Sequence, residues 1–178
     1  RACLTEMFRI IPEDGAIFYN HKWRVQKGLL QDRQDIVETF PVRQIIIWKR
    51  KGGINFNPGY FLPTYEVIYL IAKPKFKLTK GANAYGDVWE FTQEFKNPHP
   101  APFPKDLVDR IISSARAESV LDPFMGSGTT AISAKCLDKD FYGIEISEQY
   151  CELASQRLLD EKTSASTKSI RLTQQGLF

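Results

Sequence analysis

The chain has 178 residues, enough for one α/β domain with a sizeable core and short for two. An apolar fraction of 43% and a longest apolar run of residues 67–72 leave no segment able to cross a bilayer as a helix. The net charge of +3 conceals an asymmetry, because residues 43–80 hold eight Lys and Arg against a single acid, Glu66.

The opening residues, RACLTEMFRI, lack an initiator Met and the marks of a secretion signal. Leu4, Met7, Phe8 and Ile11 recur at helical spacing, so the chain is expected to begin in the middle of a fold, on a helix. EDGAIFYN then reads as a turn into a buried strand carrying Ala16, Ile17, Phe18 and Tyr19, and residues 22–40 allow another helix. RQIIIWKR is a β-branched strand, KGGINFNPGYFLPT a Gly/Pro-rich loop and YEVIYLIAK a second strand, together a long-looped hairpin. Aromatics (Trp48, Phe56, Tyr60, Phe61, Tyr65, Tyr69, Phe76) are interleaved with the bases of this region. The mixture suits phosphate contact and base stacking; it also suits a solvated, Lys-rich strand edge, and charge alone does not choose. From residue 74 to 102 only DVWEF is apolar, in a loop-rich segment on which Trp89 is expected to act as an anchor.

Pro104 is placed to open a helix whose Leu107, Val108, Ile111, Ile112 and Ala115 share one face. ESVLDPF reads as a short buried strand, TTAISAKCLD as a helix, DFYGIEI as a strand and SEQYCELASQRLLDEK as a helix with Ser147 at its N-cap. Such alternation implies parallel strands joined by right-handed crossovers. Cys136 and Cys151 fall in these helices; with Cys3 they form no C-x-x-C pair and an odd count, which favours neither a disulfide framework nor a zinc site and points to a reducing, cytoplasmic compartment. The tail from Thr163 is Ser/Thr-rich, and KSIRL within it suits one more strand or none.

The chemistry concentrates in LDPFMGSGTT, residues 121–130. A strand, then Gly126-x-Gly128, then a helix brings backbone close to a ligand, since glycine has no Cβ and a helix start presents free N–H groups. Gly126 to Ala131 meets the relaxed dinucleotide pattern G-x-G-x-x-A, and Glu145 stands 19 residues beyond Gly126, where an acid that grips ribose hydroxyls belongs. Asp122 separates the possible adenosine ligands. It would repel the pyrophosphate of a nicotinamide cofactor, whereas S-adenosylmethionine carries an ammonium and a sulfonium and no phosphate. The hydroxyls of Ser127, Thr129 and Thr130 are placed to bond that ligand's carboxylate or to hold the turn.

DPFMGSGTT followed by GIEI closely resembles the cofactor motifs of the amino-group DNA methyltransferases, which methylate N6 of adenine or N4 of cytosine. In the permuted (beta) group of that family a segment similar to NPHPAPFPKDLVDRII, here residues 97–112, precedes the glycine motif. TEMFRIIPEDGAIFYN resembles the helix and strand that follow the family's catalytic motif, and the hairpin resembles the frame of its target-recognition region. The resemblance implies a Rossmann-like α/β methyltransferase fold, mostly a parallel sheet with helices on both faces. It implies one domain over residues 1–178, with a hairpin and recognition region at 43–98, a cofactor half at 99–162 and a tail beyond. It assigns the cofactor pocket to His99, Ala101, Phe103, Asp122, Phe124, Met125, Gly126, Ser127, Gly128, Thr129, Thr130, Glu145 and Ile146. With double-stranded DNA as the partner, the basic and aromatic region from Arg43 to Lys80 is expected to straddle it, Arg43, Lys49, Arg50 and Lys51 making the contacts, and a homodimer is a further option.

The family's Asp/Asn/Ser-Pro-Pro-aromatic tetrapeptide does not occur in the chain; Asn57-Pro58-Gly59-Tyr60 has Gly for the second Pro and reads as a plain turn. The expectation is a chain lacking the part that carries it, with no catalytic residue of its own. A catalytically incomplete DNA-binding remnant and a nicotinamide-dependent oxidoreductase are the rival readings. QQGLF, residues 174–178, also suits a short peptide that docks on a sliding clamp through Leu177 and Phe178.

Overall fold

A computed structural model describes residues 1–52, 54–92 and 102–161. Helix α1 (Ala2–Ile10) leads through a tight turn into β1 (Ala16–His21). β1 pairs antiparallel with β5 (Tyr65–Ala72), Tyr19 lying opposite Tyr69. β5 pairs on its other side with β4 (Val42–Lys49), the expected hairpin, with Trp48 opposite Glu66. β6 (Val88–Glu90) adds to the free edge of β4 in parallel, so this sheet runs β1-β5-β4-β6.

Residues 22–40 form no α-helix. They make a small hairpin of β2 (Arg24–Gln26) and β3 (Leu29–Gln31), followed by one 3₁₀ turn, Gln34–Ile36. The two residues between the strands, Lys27 and Gly28, both take positive φ, at 52° and 77°. That is the requirement of a two-residue hairpin turn, and a stretch without a continuous apolar stripe has nothing to set against it.

Both faces of the four-stranded sheet are covered. Leu4 and Val37 pack with Ile17, Val67, Tyr69 and Ile71 on one side; on the other, Leu107 of α2 (Lys105–Ser114) joins Ile46, Trp48, Ile68 and Trp89. Trp89 anchors its segment as expected, buried to 5% exposure with its indole N–H donated to Gly86 O. α2 begins one residue later than the sequence suggests, because Pro104 serves as N-cap in extended conformation and its carbonyl accepts the N–H of Leu107.

The second layer of α2, Val108 and Ile112, meets Ala134 of α3 (Thr129–Cys136). β7 (Ser119–Asp122) and β8 (Asp140–Gly143) pair in parallel beneath, and α4 (Glu148–Asp160) closes on α3 through Leu158. β7 is half-buried rather than buried, since among the described residues it pairs only with β8. The α/β class therefore holds, with strands of mixed direction. The parallel pairs β7/β8 and β4/β6 stand beside the antiparallel pairs β1/β5 and β4/β5.

Candidate functional site

The glycine turn leaves the end of β7 and enters α3. Asp122 makes both ends of it. Its Oδ1 accepts the N–H of Phe124 at 3.0 Å, an Asx turn around Pro123, and its Oδ2 accepts the hydroxyl of Thr130 at 2.6 Å on the first turn of α3. Both donors are neutral, so the carboxylate's charge stays uncompensated by these bonds.

Gly126 and Gly128 take φ of 54° and 83°, the left-handed region that an L side chain rarely adopts. Gly128 is constrained a second time: a Cβ there would stand 2.8 Å from the Cβ of Ala154 on α4. The turn is thus wedged between the start of α3 and the middle of α4.

Glu145 lies two residues beyond β8 rather than on it. The backbone bonds Ile144 N to Asp122 O and Met125 N to Ile144 O, both 2.9 Å, lash its segment to the turn instead of continuing the ladder. Its carboxylate then bridges two elements, Oε2 accepting Gly126 N–H at 2.8 Å and Oε1 accepting Ser147 N–H at 2.9 Å. Ser147 is the N-cap of α4 as expected, but its side chain makes no cap bond; its carbonyl opens the helix by accepting Cys151 N–H at 3.0 Å.

Of the three hydroxyls near the turn, two hold it in place. Thr130 bonds Asp122, and Ser127, 3% exposed, is gripped by Arg157 of α4, whose Nη1 donates to Ser127 O at 2.6 Å and to Ser127 Oγ at 3.0 Å. Nothing in the sequence points to Arg157, because it stands 30 residues from its partner. Thr129 is buried at 5% exposure. Met125 packs against Ala131, Ile132 and Leu158, while Phe124 and Ile146 remain 74% and 101% exposed on either side of the turn.

Phe103 packs against Trp48, ring centroids 6.2 Å apart, which joins the segment before α2 to the four-stranded sheet. His99 and Ala101 lie outside the described residues, as does the 174–178 peptide.

The four basic residues assigned to DNA divide into pairs. Arg43 donates to the carbonyls of Phe76, Lys73 and Pro74 and covers the Phe76 ring, so its guanidinium holds the turn after β5. Arg50 is 11% exposed in its side chain and pairs with the equally buried Glu66 at 3.4 Å. Lys49 and Lys51 instead stand exposed and share Glu90, at 2.9 and 3.1 Å. Their hydrogen bonds, that of Lys49 foremost, hold the Glu90 carboxyl below the usual range.

The fold that carries this glycine turn is shared with solved structures. The fold matches the M1.HpyAVI–SAM complex at a TM-score of 0.71 (24% identity, 88% of this chain and 80% of that one). It matches the cytosine-N4-specific PvuII DNA methyltransferase at 0.72 (15% identity, 88% and 67%). It is the Rossmann-like fold of DNA methyltransferases. The N6_N4 DNA methylase family model matches residues 1–156, and the chain belongs to that family. Relatives include the Type II methyltransferase M.BglII of Bacillus subtilis, 28% identical over 89% of this chain and 55% of its own length. The Type II methyltransferase M.HpaI of Haemophilus parainfluenzae is 31% identical over 89% and 58%. The chain thus spans a little over half the length of these relatives.

Proposed function

We propose that the protein transfers a methyl group from S-adenosylmethionine to an exocyclic amine of adenine or cytosine in double-stranded DNA, in the cytoplasm and within a restriction-modification context like that of its Type II relatives. The observation that carries the cofactor assignment is the pair of carboxylates bordering one glycine turn. In a dinucleotide site the turn's N–H groups face a pyrophosphate. Here Gly126 N–H is given to Glu145, and Asp122 adds a second negative charge at the lip. A phosphate would meet two like charges, whereas a sulfonium and an ammonium meet complementary ones. This disfavours a nicotinamide cofactor.

In this reading the Glu145 carboxylate, held beside the turn by Gly126 and Ser147, takes the ribose hydroxyls. Phe124 and Ile146 offer exposed apolar faces against which an adenine ring packs, with Met125 anchoring the turn between α3 and α4. Asp122 faces the cationic end, with Ser127 and Thr130 maintaining the turn and Thr129 beside them, and His99, Ala101 and Phe103 are assigned to the same pocket. When bound, the donor supplies a methyl on a sulfonium, an electrophile with its leaving group built in. The chain's own contribution is alignment and charge placement. The groups that localise the amine's lone pair are assigned to residues outside this sequence, since no Pro-Pro-aromatic tetrapeptide occurs in it.

The recognition region, residues 43–98, carries the DNA. Lys49 and Lys51 are its exposed cations, whereas Arg43 and Arg50 act through the fold. Reversing both lysines to Glu is expected to weaken DNA binding and to flatten its salt dependence by about 2 units of slope, as read by fluorescence anisotropy across a salt series. An unchanged slope would remove Lys49 and Lys51 from the contact.

The function itself is tested with the full protein, methyl-labelled S-adenosylmethionine and duplex DNA, followed by digestion to nucleosides. Label in N6-methyladenine or N4-methylcytosine is the expected result. Binding of both ligands without transfer would identify a DNA-binding remnant instead.

A further inference from the structure

The loop between β4 and β5 presents three apolar side chains that the fold does not use. Ile54, Phe56 and Phe61 are 78%, 91% and 97% exposed. Their exposure does not come from a slack backbone. At the tip, Asn55 Nδ2 donates to Tyr60 O at 2.6 Å, Asn57 N–H to Asn55 Oδ1 at 3.0 Å and Gly59 N–H to Asn57 Oδ1 at 2.8 Å. Two successive Asx turns thus stiffen the segment between the two phenylalanines.

The root is equally fixed. Arg50 N–H donates to Thr64 O at 2.7 Å, its guanidinium reaches Pro63 O at 3.4 Å, and the same guanidinium pairs with Glu66. Glu66 in turn accepts the amide of Asn20 at 2.7 Å, which locks the loop's stem to the end of β1. A rigid stem and an ordered tip holding two phenyl rings in solvent make a preformed apolar edge, and such an edge marks a binding surface.

The surroundings specify what it binds. Lys49 and Lys51 flank the stem and share a single acid, Glu90, while Arg50 is matched by Glu66, so the base of the loop keeps a net positive charge. A second copy of this chain would bring like charge against like charge. A polyanion with apolar planes between its charges satisfies both features. Resting on the DNA reading above, we propose that this loop is a wedge: Phe56 and Phe61 enter between base pairs of the duplex next to the base to be methylated, while Lys49 and Lys51 take flanking phosphates. Inserted apolar side chains unstack a base step, and unstacking lowers the cost of moving the neighbouring base out of the helix.

The double variant Phe56→Ala/Phe61→Ala leaves every bond of the tip and stem intact, since those use Asn55, Asn57, Arg50, Glu66 and backbone. It is compared with the wild type on a closed-circular plasmid that the protein methylates, relaxed by topoisomerase in its presence. Insertion unwinds the duplex, so the wild type is expected to shift the topoisomer distribution. The variant is expected to lose that shift and about tenfold in plasmid affinity, with its salt slope and S-adenosylmethionine affinity unchanged. A wild-type-like topoisomer shift in the variant overturns the wedge. So does plasmid binding by the wild type without any shift, and that result leaves the DNA reading standing. A wild type that binds anionic vesicles and no DNA overturns both.

Discussion

Gly128→Ala is expected to destabilise the protein far more than Gly81→Ala, although both positions hold positive φ, at 83° and 86°. Forcing an L residue into the left-handed region costs about 1–2 kcal/mol at either site. At Gly81 nothing lies within 4 Å of the added methyl, so that is the whole effect. At Gly128 the methyl stands 2.8 Å from Ala154 Cβ and 3.3 Å from Ala154 Cα, and α4 must move away from the turn. Overpacking of this kind adds roughly 1–3 kcal/mol, for a total of about 2–5 kcal/mol at Gly128. Urea unfolding of the two variants measures the difference.

Ala154→Gly in the Gly128→Ala background isolates the packing part. Relieving the contact should return part of the loss beyond the ordinary cost of a helical glycine, about 1 kcal/mol, leaving the conformational part in place. A double-mutant cycle with no coupling energy would show that α4 does not press on the turn. Displacing α4 also pulls Arg157 from Ser127, so the same variant is expected to bind S-adenosylmethionine more weakly.

Much of this site is legible in the sequence because its elements are local. Gly126 and Gly128 declare positive φ, Asp122 reaches only as far as Phe124 and Thr130, and the spacing to Glu145 spans a single strand-turn-helix unit. What the sequence hides is long-range or non-periodic. Nothing near Arg157 announces Ser127, and nothing near Arg50 announces Glu66, which is why Arg50 reads as a surface cation until the pairing of β4 with β5 buries it. The segment 22–40 misleads for another reason. Its weak apolar spacing is compatible with a helix, and the decision falls to two turn residues, Lys27 and Gly28, whose positive φ no helix accommodates.

Glu145→Ala is expected to raise the dissociation constant for S-adenosylmethionine by about 100-fold, the loss of two hydrogen bonds to a charged acceptor at roughly 1.5–3 kcal/mol each, partly recovered by water. Two roles are mixed in that number. The carboxylate positions the turn by accepting Gly126 N–H and Ser147 N–H, and in the proposed complex it also receives the ribose hydroxyls. They separate when the demethylated product S-adenosylhomocysteine and its 2′-deoxy analogue are titrated calorimetrically into wild type and variant. If Glu145 grips the diol, the wild type favours the intact ribose and Glu145→Ala binds the two ligands alike. If it only shapes the turn, the variant weakens both ligands by the same factor and the preference for the intact ribose survives. Retained preference would move the ribose contact away from Glu145 while leaving Asp122 as the acid facing the cationic end, because Asp122 is held by Phe124 and Thr130, and neither bond passes through Glu145.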